Sequence, residues 1–459
     1  MPEETIQKPQ RMDVVELLQK PSRKFAFNLL FWTFFIVTLD GFDFAAISFA
    51  APDLMKEWHL SPKAFGVIFS AGTIGMMLGA PLFGYVGDKI GRKKSLFIST
   101  MCVGVTTGAT ILANSLDILL ILRFVNGIAI GGVLPGSIVL VSEYAPKGSG
   151  VKWVSGMFTG YSVGGIAGAL LASWLLPLYG WQSIFVVGGL LPIVAGGLGY
   201  LMLPESIRFL ALKPENRSEI IKIAAKLQPG LQIDPNAEFV MLDEKKDKKQ
   251  QGKYSIKLLF AGVLVLITPL IWSFYIINSV ALYFLKAWFP VLFVSGGLTP
   301  SQAALATAWF STGGMIGGLS VGWVMDRYGM VLGTIYPLLG AIVTAFLGFS
   351  SGIGMMVMVF LCGLTVVGTQ YILTACTPLF YPTEYRTQAD GAALGIGKIG
   401  AVLGPALGGL LVALQLPTQT VFFVVAVPVV FGAILCFFLT RMYKRHYTVA
   451  EESENGVVH

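Results

Sequence analysis

Four ionisable side chains stand inside long apolar stretches of the sequence: Asp40, Asp43, Arg123 and Lys398. A charge inside a membrane-spanning helix costs about 2.5–3.5 kcal/mol on insertion scales, so such residues are candidates for function. Asp40 and Asp43 are three residues apart and share one face of a helix. Desolvation and a neighbouring like charge both favour the protonated form of a carboxyl. The pair is therefore expected to couple protons or to gate substrate; the alternative is a structural pair hydrogen-bonded to neighbouring helices.

Two cations could complement this pair. The helical rise of 1.5 Å per residue places Arg123 at a depth similar to that of the aspartates, so a salt bridge is feasible. Protonating an aspartate would weaken that bridge and free Arg123 for a substrate carboxylate, unless the bridge is a permanent structural ion pair. Lys398 lies near mid-span in the other half of the chain, where a cation suits an anionic substrate better than snorkelling. Lys286, near the end of its span, is interpreted as a snorkelling residue.

Six further side chains in the apolar stretches could stack on or hydrogen-bond an aromatic acid. Aromatic residues in membrane spans also serve as packing residues or interfacial anchors, which is the alternative for each of them. These candidates are Tyr161, Tyr275, Asn278, Trp309, Gln370 and Tyr371.

The composition indicates which elements must position these residues. The chain is 55% hydrophobic and 12% charged, whereas soluble proteins carry about 25% charged residues. A span needs roughly 20 apolar residues. The sequence predicts an all-α membrane protein with twelve transmembrane helices in two six-helix halves, near 25–53, 64–86, 95–113, 117–141, 152–174, 182–203, 258–290, 301–325, 331–349, 354–380, 388–414 and 418–440.

The polar stretches between and around the spans define the remaining organisation. Residues 1–24 form an N-terminal tail, 25–203 the first half, 204–257 a solvated linker, 258–440 the second half and 441–459 a C-terminal tail. With the N-terminus inside, 27 of the 32 lysines and arginines fall on inner segments, which fits the positive-inside rule. Both tails and the linker are thus expected to be cytoplasmic in an inner (plasma) membrane. The net charge of +7 reflects this bias and does not indicate nucleic-acid binding.

An internal repeat supports two related halves. At an offset of 238, Gly75 and Gly79 fall on Gly313 and Gly317; at an offset of 235, Gly165 falls on Gly400. Parallel repeats of this kind are typical of transporters whose site lies between the halves.

Two motifs resemble the major facilitator superfamily. Gly84 to Lys94, with Asp88, Gly91 and Arg92, is similar to the loop between its second and third spans, and the run from Arg123 to Gly132 is similar to a motif of its fourth span. Asp88 and Arg92 are four apart and can pair. The resemblance implies that Gly84, Asp88, Arg92, Asp326 and Glu143 latch the two halves on the inner side; the alternative is a positive-inside loop with a helix cap.

A narrower resemblance is to the aromatic acid:proton symporter family. It rests on Asp40-Gly-Phe-Asp43, on the run from Tyr381 to Arg386, and on the glycine-rich stretch from Gly391 to Pro405. This chain departs from that pattern with Phe44 where threonine is common and Lys398 where arginine is common.

The resemblance implies a secondary active transporter, not an enzyme, that imports a hydroxybenzoate-like aromatic carboxylate by proton symport. Alternatives are another organic anion (muconate, nicotinate or a sugar acid), export, or a membrane sensor. The sequence has no nucleotide-binding loop and no histidine- or cysteine-rich cluster, so no cofactor or metal is expected. The expected partners are the organic anion, protons and the lipid bilayer, and the expected state is a monomer.

Overall fold

The computed structural model describes residues 11–18, 21–231, 233–234, 237–240, 256–328, 332–382 and 385–454. Helices occupy all twelve predicted span positions. The N-terminal tail holds α1 (Val14–Leu18). The first half holds α2 (Arg23–Glu57), α3 (Pro62–Ile90), α4 (Arg92–Ala109), α5 (Leu116–Tyr144), α6 (Gly150–Tyr179) and α7 (Gln182–Met202). The linker holds α8 (Ile207–Leu210) and α9 (Arg217–Leu227). The second half holds α10 (Leu264–Ser295), α11 (Pro300–Tyr328), α12 (Leu332–Leu347), α13 (Gly352–Cys362), α14 (Gly368–Cys376), α15 (Arg386–Ala413) and α16 (Thr418–Glu454).

Ten of the described helices are long and apolar enough to cross a membrane. An eleventh, Gly333–Leu347, is apolar but shorter. The remaining position is α11, 29 residues long and rich in glycine, alanine, serine and threonine. A π-helical turn, Gly363–Val367, joins α13 to α14 within one span. The seventh span begins later than predicted, at Leu264 instead of residue 258, because Gly262 with φ +56° separates it from a short 3-10 turn.

Glycines bring helices of each half into backbone contact. A Cβ added at Gly75 of α3 would clash with the carbonyl of Phe124 in α5, and one at Gly313 of α11 would clash with the carbonyl of Phe360 in α13. Small residues permit such close approach between membrane helices. The two contacts are equivalent in the two halves, which supports the predicted repeat.

A second pair of glycine contacts between helices shifts the register of the predicted repeat by one residue. Places where a glycine lies directly against the backbone of a neighbouring helix are called glycine seams here. A Cβ at Gly164 of α6 would clash with the carbonyl of Thr38 in α2, and a Cβ at Gly400 of α15 would clash with the carbonyl of Ile276 in α10. Gly400 therefore corresponds to Gly164, not to Gly165 as the offset of 235 predicted. Runs of glycine in both helices made the register ambiguous from sequence alone.

The two halves pack against each other at the end of the bundle opposite the linker, called here the far end. The Ser70 hydroxyl donates to the carbonyl of Val402 at 2.8 Å, and the rings of Phe69 and Trp288 lie 5.5 Å apart. At the linker end, Cβ atoms built on four glycines of the described residues meet no other atom within 4 Å: Gly84, Gly156, Gly391 and Gly395. The halves therefore part toward the linker.

The described part of the linker is packed rather than solvated, contrary to the expectation from its polar composition. Ile220 and Leu227 of α9 are buried in one cluster with Leu96 and Leu140 of the first half. The Ser22 N–H donates to the Leu227 carbonyl at 2.6 Å. Strands β1 (Arg11–Asp13) and β2 (Glu238–Val240) pair in parallel beside it. The apolar face of α9 explains the difference, since its buried positions recur at helical spacing. The linker also carries a run of charged residues at 243–249, which lies outside the described residues.

Candidate functional site

Asp43 lies at the end of a chain of buried polar groups in the first half. The Thr107 hydroxyl donates to Asp43 Oδ1, and Asn126 Nδ2 donates to Thr107 Oγ1 at 2.8 Å. Asp43 is 1% exposed, and its second carboxylate oxygen has no hydrogen-bond partner. Three helices, α2, α4 and α5, therefore hold one oxygen of this carboxylate and leave the other one open.

Arg123 lies beside Asp43 without contacting it directly. It is within electrostatic reach of Asp43, donates to the Thr110 hydroxyl at 2.5 Å, and lies over the ring of Phe185, 5.3 Å from its centroid. Among the described residues, no nitrogen of Arg123 comes within 4 Å of an aspartate oxygen. The predicted salt bridge is thus absent in this conformation, because the Thr110 hydroxyl on the 3-10 turn Thr110–Leu112 holds the arginine instead.

Asp40 is the less satisfied of the two aspartates. It is 2% exposed, and neither of its carboxylate oxygens has a hydrogen-bond partner. Asp43 and Lys398 are the charged groups that act on it most strongly, and Tyr161 is also within reach. Asp40 therefore lies at the boundary between the halves, with its own half supplying a carboxylate and the other half a cation.

Lys286 and Lys398 approach this group from the second half. Lys398 and Lys286 both act electrostatically on Tyr283. The Lys286 ammonium lies over three rings, 5.0 Å from the centroid of Tyr161 and 5.8 Å from those of Phe44 and Tyr283. The snorkelling interpretation of Lys286 is therefore wrong. Depth along the helix suggested a route to the membrane surface, but the helix face directs the side chain inward.

The predicted aromatic and amide residues fall into two groups. Asn278 Nδ2 donates to Gln370 Oε1 at 2.8 Å, so these two residues pair with each other. Tyr371 acts electrostatically on Tyr161 and therefore lies near the charged group. The Tyr275 hydroxyl accepts from Thr377 at 3.3 Å. Trp309 is 45% exposed and packs edge-on against Phe360; it makes no contact with the charged residues among those described.

A cavity between the halves reaches the charged residues. Asp43 and Arg123 line it from the first half, and Tyr283, Ala287 and Pro405 line it from the second. Both halves thus contribute to one cavity that borders a carboxylate, a guanidinium and a phenol.

At the linker end, Asp88 and Arg92 form the predicted i,i+4 ion pair. Both residues belong to the first half, so the pair does not bridge the halves in this conformation. The side chain of Glu143 is largely buried, and its Oε2 atom has no partner. A Cβ added at Gly84 meets nothing within 4 Å. The side chain of Asp326, the other predicted latch residue, lies outside the described residues.

Sequence reasoning missed Glu205, which lies beside these residues at the start of α4. Its Oε1 accepts from the backbone N–H groups of Lys93 at 3.0 Å and Ser206 at 2.9 Å, so it caps the N-terminus of α4. Gly91, with φ +105°, leaves room for this carboxylate, which a Cβ would strike. Glu205 directly follows the sixth span, and that position could have identified it as a structural residue. Because the linker is polar on average, Glu205 was not distinguished from its solvated charges.

Sequence reasoning also missed Thr107, Thr110 and Asn126. Hydroxyl and amide residues are frequent in spans, where hydroxyls commonly bond their own helix backbone. Only the geometry separates Thr107, which reaches Asp43, from Thr100, which bonds the carbonyl of Leu96.

A bundle of two repeated halves with buried charges at their boundary defines a membrane transporter. The Major Facilitator Superfamily model matches residues 33–399 and 271–458, so the chain belongs to this superfamily. It is a multi-pass membrane transporter and not an enzyme.

Individual relatives narrow the resemblance. The gallate transporter of Pseudomonas putida is 34% identical, over 89% of this chain and 90% of its own. The 4-hydroxybenzoate transporter PcaK of Pseudomonas putida is 34% identical, over 89% of this chain and 91% of its own. The crystal structure of a bacterial homologue of the human lysosomal transporter Spinster superposes with a TM-score of 0.70 over 92% of this chain and 98% of its own, at 15% identity, which is evidence for the fold alone. The resemblance to the aromatic acid:proton symporter family is thereby confirmed.

Proposed function

We propose that this chain imports an aromatic carboxylate, such as a hydroxybenzoate, by proton symport with alternating access. One observation carries the proposal: Asp40 is buried at the boundary of the halves with both oxygens unpartnered, within reach of Lys398 from the opposite half. A buried carboxylate that lacks hydrogen bonds gains most from a proton. The relatives that transport gallate and 4-hydroxybenzoate support the substrate class.

In this scheme, Asp40 and Asp43 carry the proton while Arg123 and Lys398 bind the substrate carboxylate. Protonating Asp40 removes the charge that competes for Lys398, and protonating Asp43 does the same for Arg123. Arg123 has no direct carboxylate partner within the described part of the chain, so it is the cation ready to receive an anion. Gln370, Asn278, Tyr161, Tyr275, Tyr371 and Trp309 remain proposed as contacts for the aromatic ring and its hydroxyl groups.

We further propose that the molecule acts as a monomer in the inner membrane with both termini and the linker cytoplasmic, as the distribution of lysine and arginine favours. The parted end of the bundle then faces the cytoplasm, and the packed far end faces outward. Gly84, Asp88, Arg92, Asp326 and Glu143 would meet the second half when the cytoplasmic side closes. The observed confinement of the Asp88–Arg92 pair to one half is what an open inner side requires.

The test is uptake of radiolabelled 4-hydroxybenzoate into proteoliposomes under an imposed proton gradient. We expect wild-type accumulation, and a loss of about tenfold or more in Asp40→Asn, Asp43→Asn and Arg123→Gln, because each removes a charge needed for coupling or binding. Asp117→Asn, at an exposed position on α5, is the control and should transport normally. Gradient-driven accumulation at the wild-type level in all three variants would end the coupling scheme. Acidification of the medium on adding substrate to energised vesicles would indicate export or antiport instead.

A further inference from the structure

Lys286 occupies a cage of aromatic rings supplied by both halves. Phe44 comes from α2 and Tyr161 from α6, whereas Tyr283 lies one helical turn before Lys286 on α10. All three ring centroids lie within the distance of about 6 Å at which a ring face attracts a cation. The cage therefore exists only while the two halves are together at this level of the bundle.

The cage stabilises the ammonium without neutralising it. Among the described residues, Lys286 makes no ion pair, and the charged group acting on it most directly besides Tyr283 is another cation, Lys398. Ring faces replace only part of the hydration that a buried ammonium loses. A cation in this condition gains strongly from an arriving anion.

The surroundings also suit the rest of an aromatic acid. Phe44 and Tyr283 line the cavity between the halves, and the rings of Phe44 and Tyr283 lie 5.8 Å apart and nearly perpendicular. Aromatic rings prefer offset or edge-on contacts of this kind, so a substrate ring in the cavity has two rings to pack against. Lys398, which acts electrostatically on Tyr283, brings a second cation to the same place.

We propose that Lys286 is a carboxylate anchor of the substrate site and that Phe44, Tyr161 and Tyr283 pack the substrate ring beside it. The inference rests on the proposed function and adds a residue and a subsite to it. When the site is empty, the three rings surround the Lys286 ammonium. When substrate binds, its carboxylate pairs with the ammonium, and its ring packs against the aromatic side chains.

Phe44 is then a residue that determines specificity. The Phe44 ring contributes an aromatic face from the first half to the cage, which a threonine at this position would not supply. The cage thereby selects a planar aromatic acid over an aliphatic acid of the same charge, because stacking depends on a π face whereas the ammonium accepts either carboxylate.

The experiment measures binding of 4-hydroxybenzoate and of uncharged 4-hydroxybenzamide to the purified full-length protein in nanodiscs by calorimetry. We expect Lys286→Met to lower affinity for the acid by about tenfold or more, since a charge-assisted contact is lost, and to change affinity for the amide little. Lys286→Arg should retain most of the preference for the acid. Phe44→Thr should weaken binding of both compounds. Lys63→Met and Phe27→Thr, at exposed positions, are the matched controls.

The outcomes separate this inference from the proposed function. If the wild-type protein binds no aromatic acid, the proposed function fails. If the wild-type protein prefers the acid and Lys286→Met keeps that preference unchanged, the anchor is disproved while the proposed function stands. If Lys286→Met does not fold, the test rests on Phe44→Thr. Unchanged binding of both compounds by that variant would disprove the proposed role of the aromatic cage.

Discussion

At the scale of single residues, Glu205 shows how a buried carboxylate can serve structure rather than transport. It lies outside the spans, receives two backbone N–H groups at the start of α4, and its own carbonyl accepts from the Tyr144 hydroxyl at 2.5 Å. Burial raises the pKa of the Glu205 carboxyl above its ordinary value of 4.5, although the N–H donors of Lys93 and Ser206 oppose that shift.

This shift predicts a pH-dependent stability difference between the wild-type protein and Glu205→Gln. A raised pKa means that the folded state binds the proton more tightly, so the free energy of unfolding falls as pH rises from about 4.5 through the folded-state value. The wild-type protein should therefore lose thermal stability relative to Glu205→Gln across that window, as measured by melting midpoints of the detergent-solubilised proteins. Glu219→Gln, at an exposed position on α9, should show no such trend. A difference between wild type and variant that stays constant with pH would contradict the assignment.

Charged residues in apolar stretches could be found from the sequence, but their partners could not. Asp40, Asp43, Arg123 and Lys398 stood out because ionisable groups in spans are costly, and the structure brings them near one boundary. Lys286 was misread because depth was used without the face of the helix. Tyr283 lies three residues before Lys286, and that spacing was the available signal that both share a face.

At the scale of elements, the glycine seams are the feature that most constrains the helices. We predict that Gly400→Ala destabilises the protein by about 1–3 kcal/mol, because the added methyl group overpacks the seam between α15 and α10. Gly197→Ala in α7 meets nothing within 4 Å and should be neutral or stabilising by up to about 1 kcal/mol through helix propensity. Unfolding in denaturant, followed by tryptophan fluorescence, compares the two.

An equal effect of both alanine substitutions would show that the seam tolerates a methyl group.

The predicted spans matched the helices within a few residues at most positions, because runs of apolar residues directly report membrane-spanning length. The register of the repeat and the packed state of α9 were not accessible in the same way. The former depends on which of several glycines faces a neighbour, and the latter on an apolar face within a segment that is polar on average.

At the scale of the whole molecule, the far-end contacts hold the observed conformation. A Cβ at Gly66 would lie 2.9 Å from the carbonyl oxygen of Pro405 and 3.1 Å from the Cα of Gly409. We predict that Gly66→Leu wedges α3 from α15 and shifts the population toward a form that is parted at the far end and closed at the linker end.

Cysteine reactivity measures this shift. Leu394 is 41% exposed near the linker end of α15, so Leu394→Cys supplies a thiol that reacts with maleimide in the observed conformation. In a Cys102→Ser background, which removes the exposed native cysteine, adding Gly66→Leu should slow labelling several-fold, since a population shift lowers reactivity in proportion to the fraction exposed. Gly197→Leu, at a position with open surroundings, should leave the rate unchanged. An unchanged rate with Gly66→Leu would mean that the far-end packing does not set the equilibrium.

The conformation itself could not be predicted from sequence, because both end states of such a bundle use the same helices and the same apolar faces. Sequence patterns specify which residues are buried within a half, such as Gly79 against α5. They do not specify which of two closely balanced contacts between the halves is made, such as Ser70 with Val402 at the far end.

The backbone contacts at the glycine seams also govern the mechanical character of the transporter. Where a carbonyl rests directly on a glycine, as between α2 and α6 or between α10 and α15, the two helices have no soft side-chain layer along which to slide. Each half is therefore stiff, and deformation concentrates at the surface between the halves, which part toward the linker. Forces from the bilayer, such as a change in its thickness, would then be relieved mainly by rocking at that surface and only slightly by bending within a half.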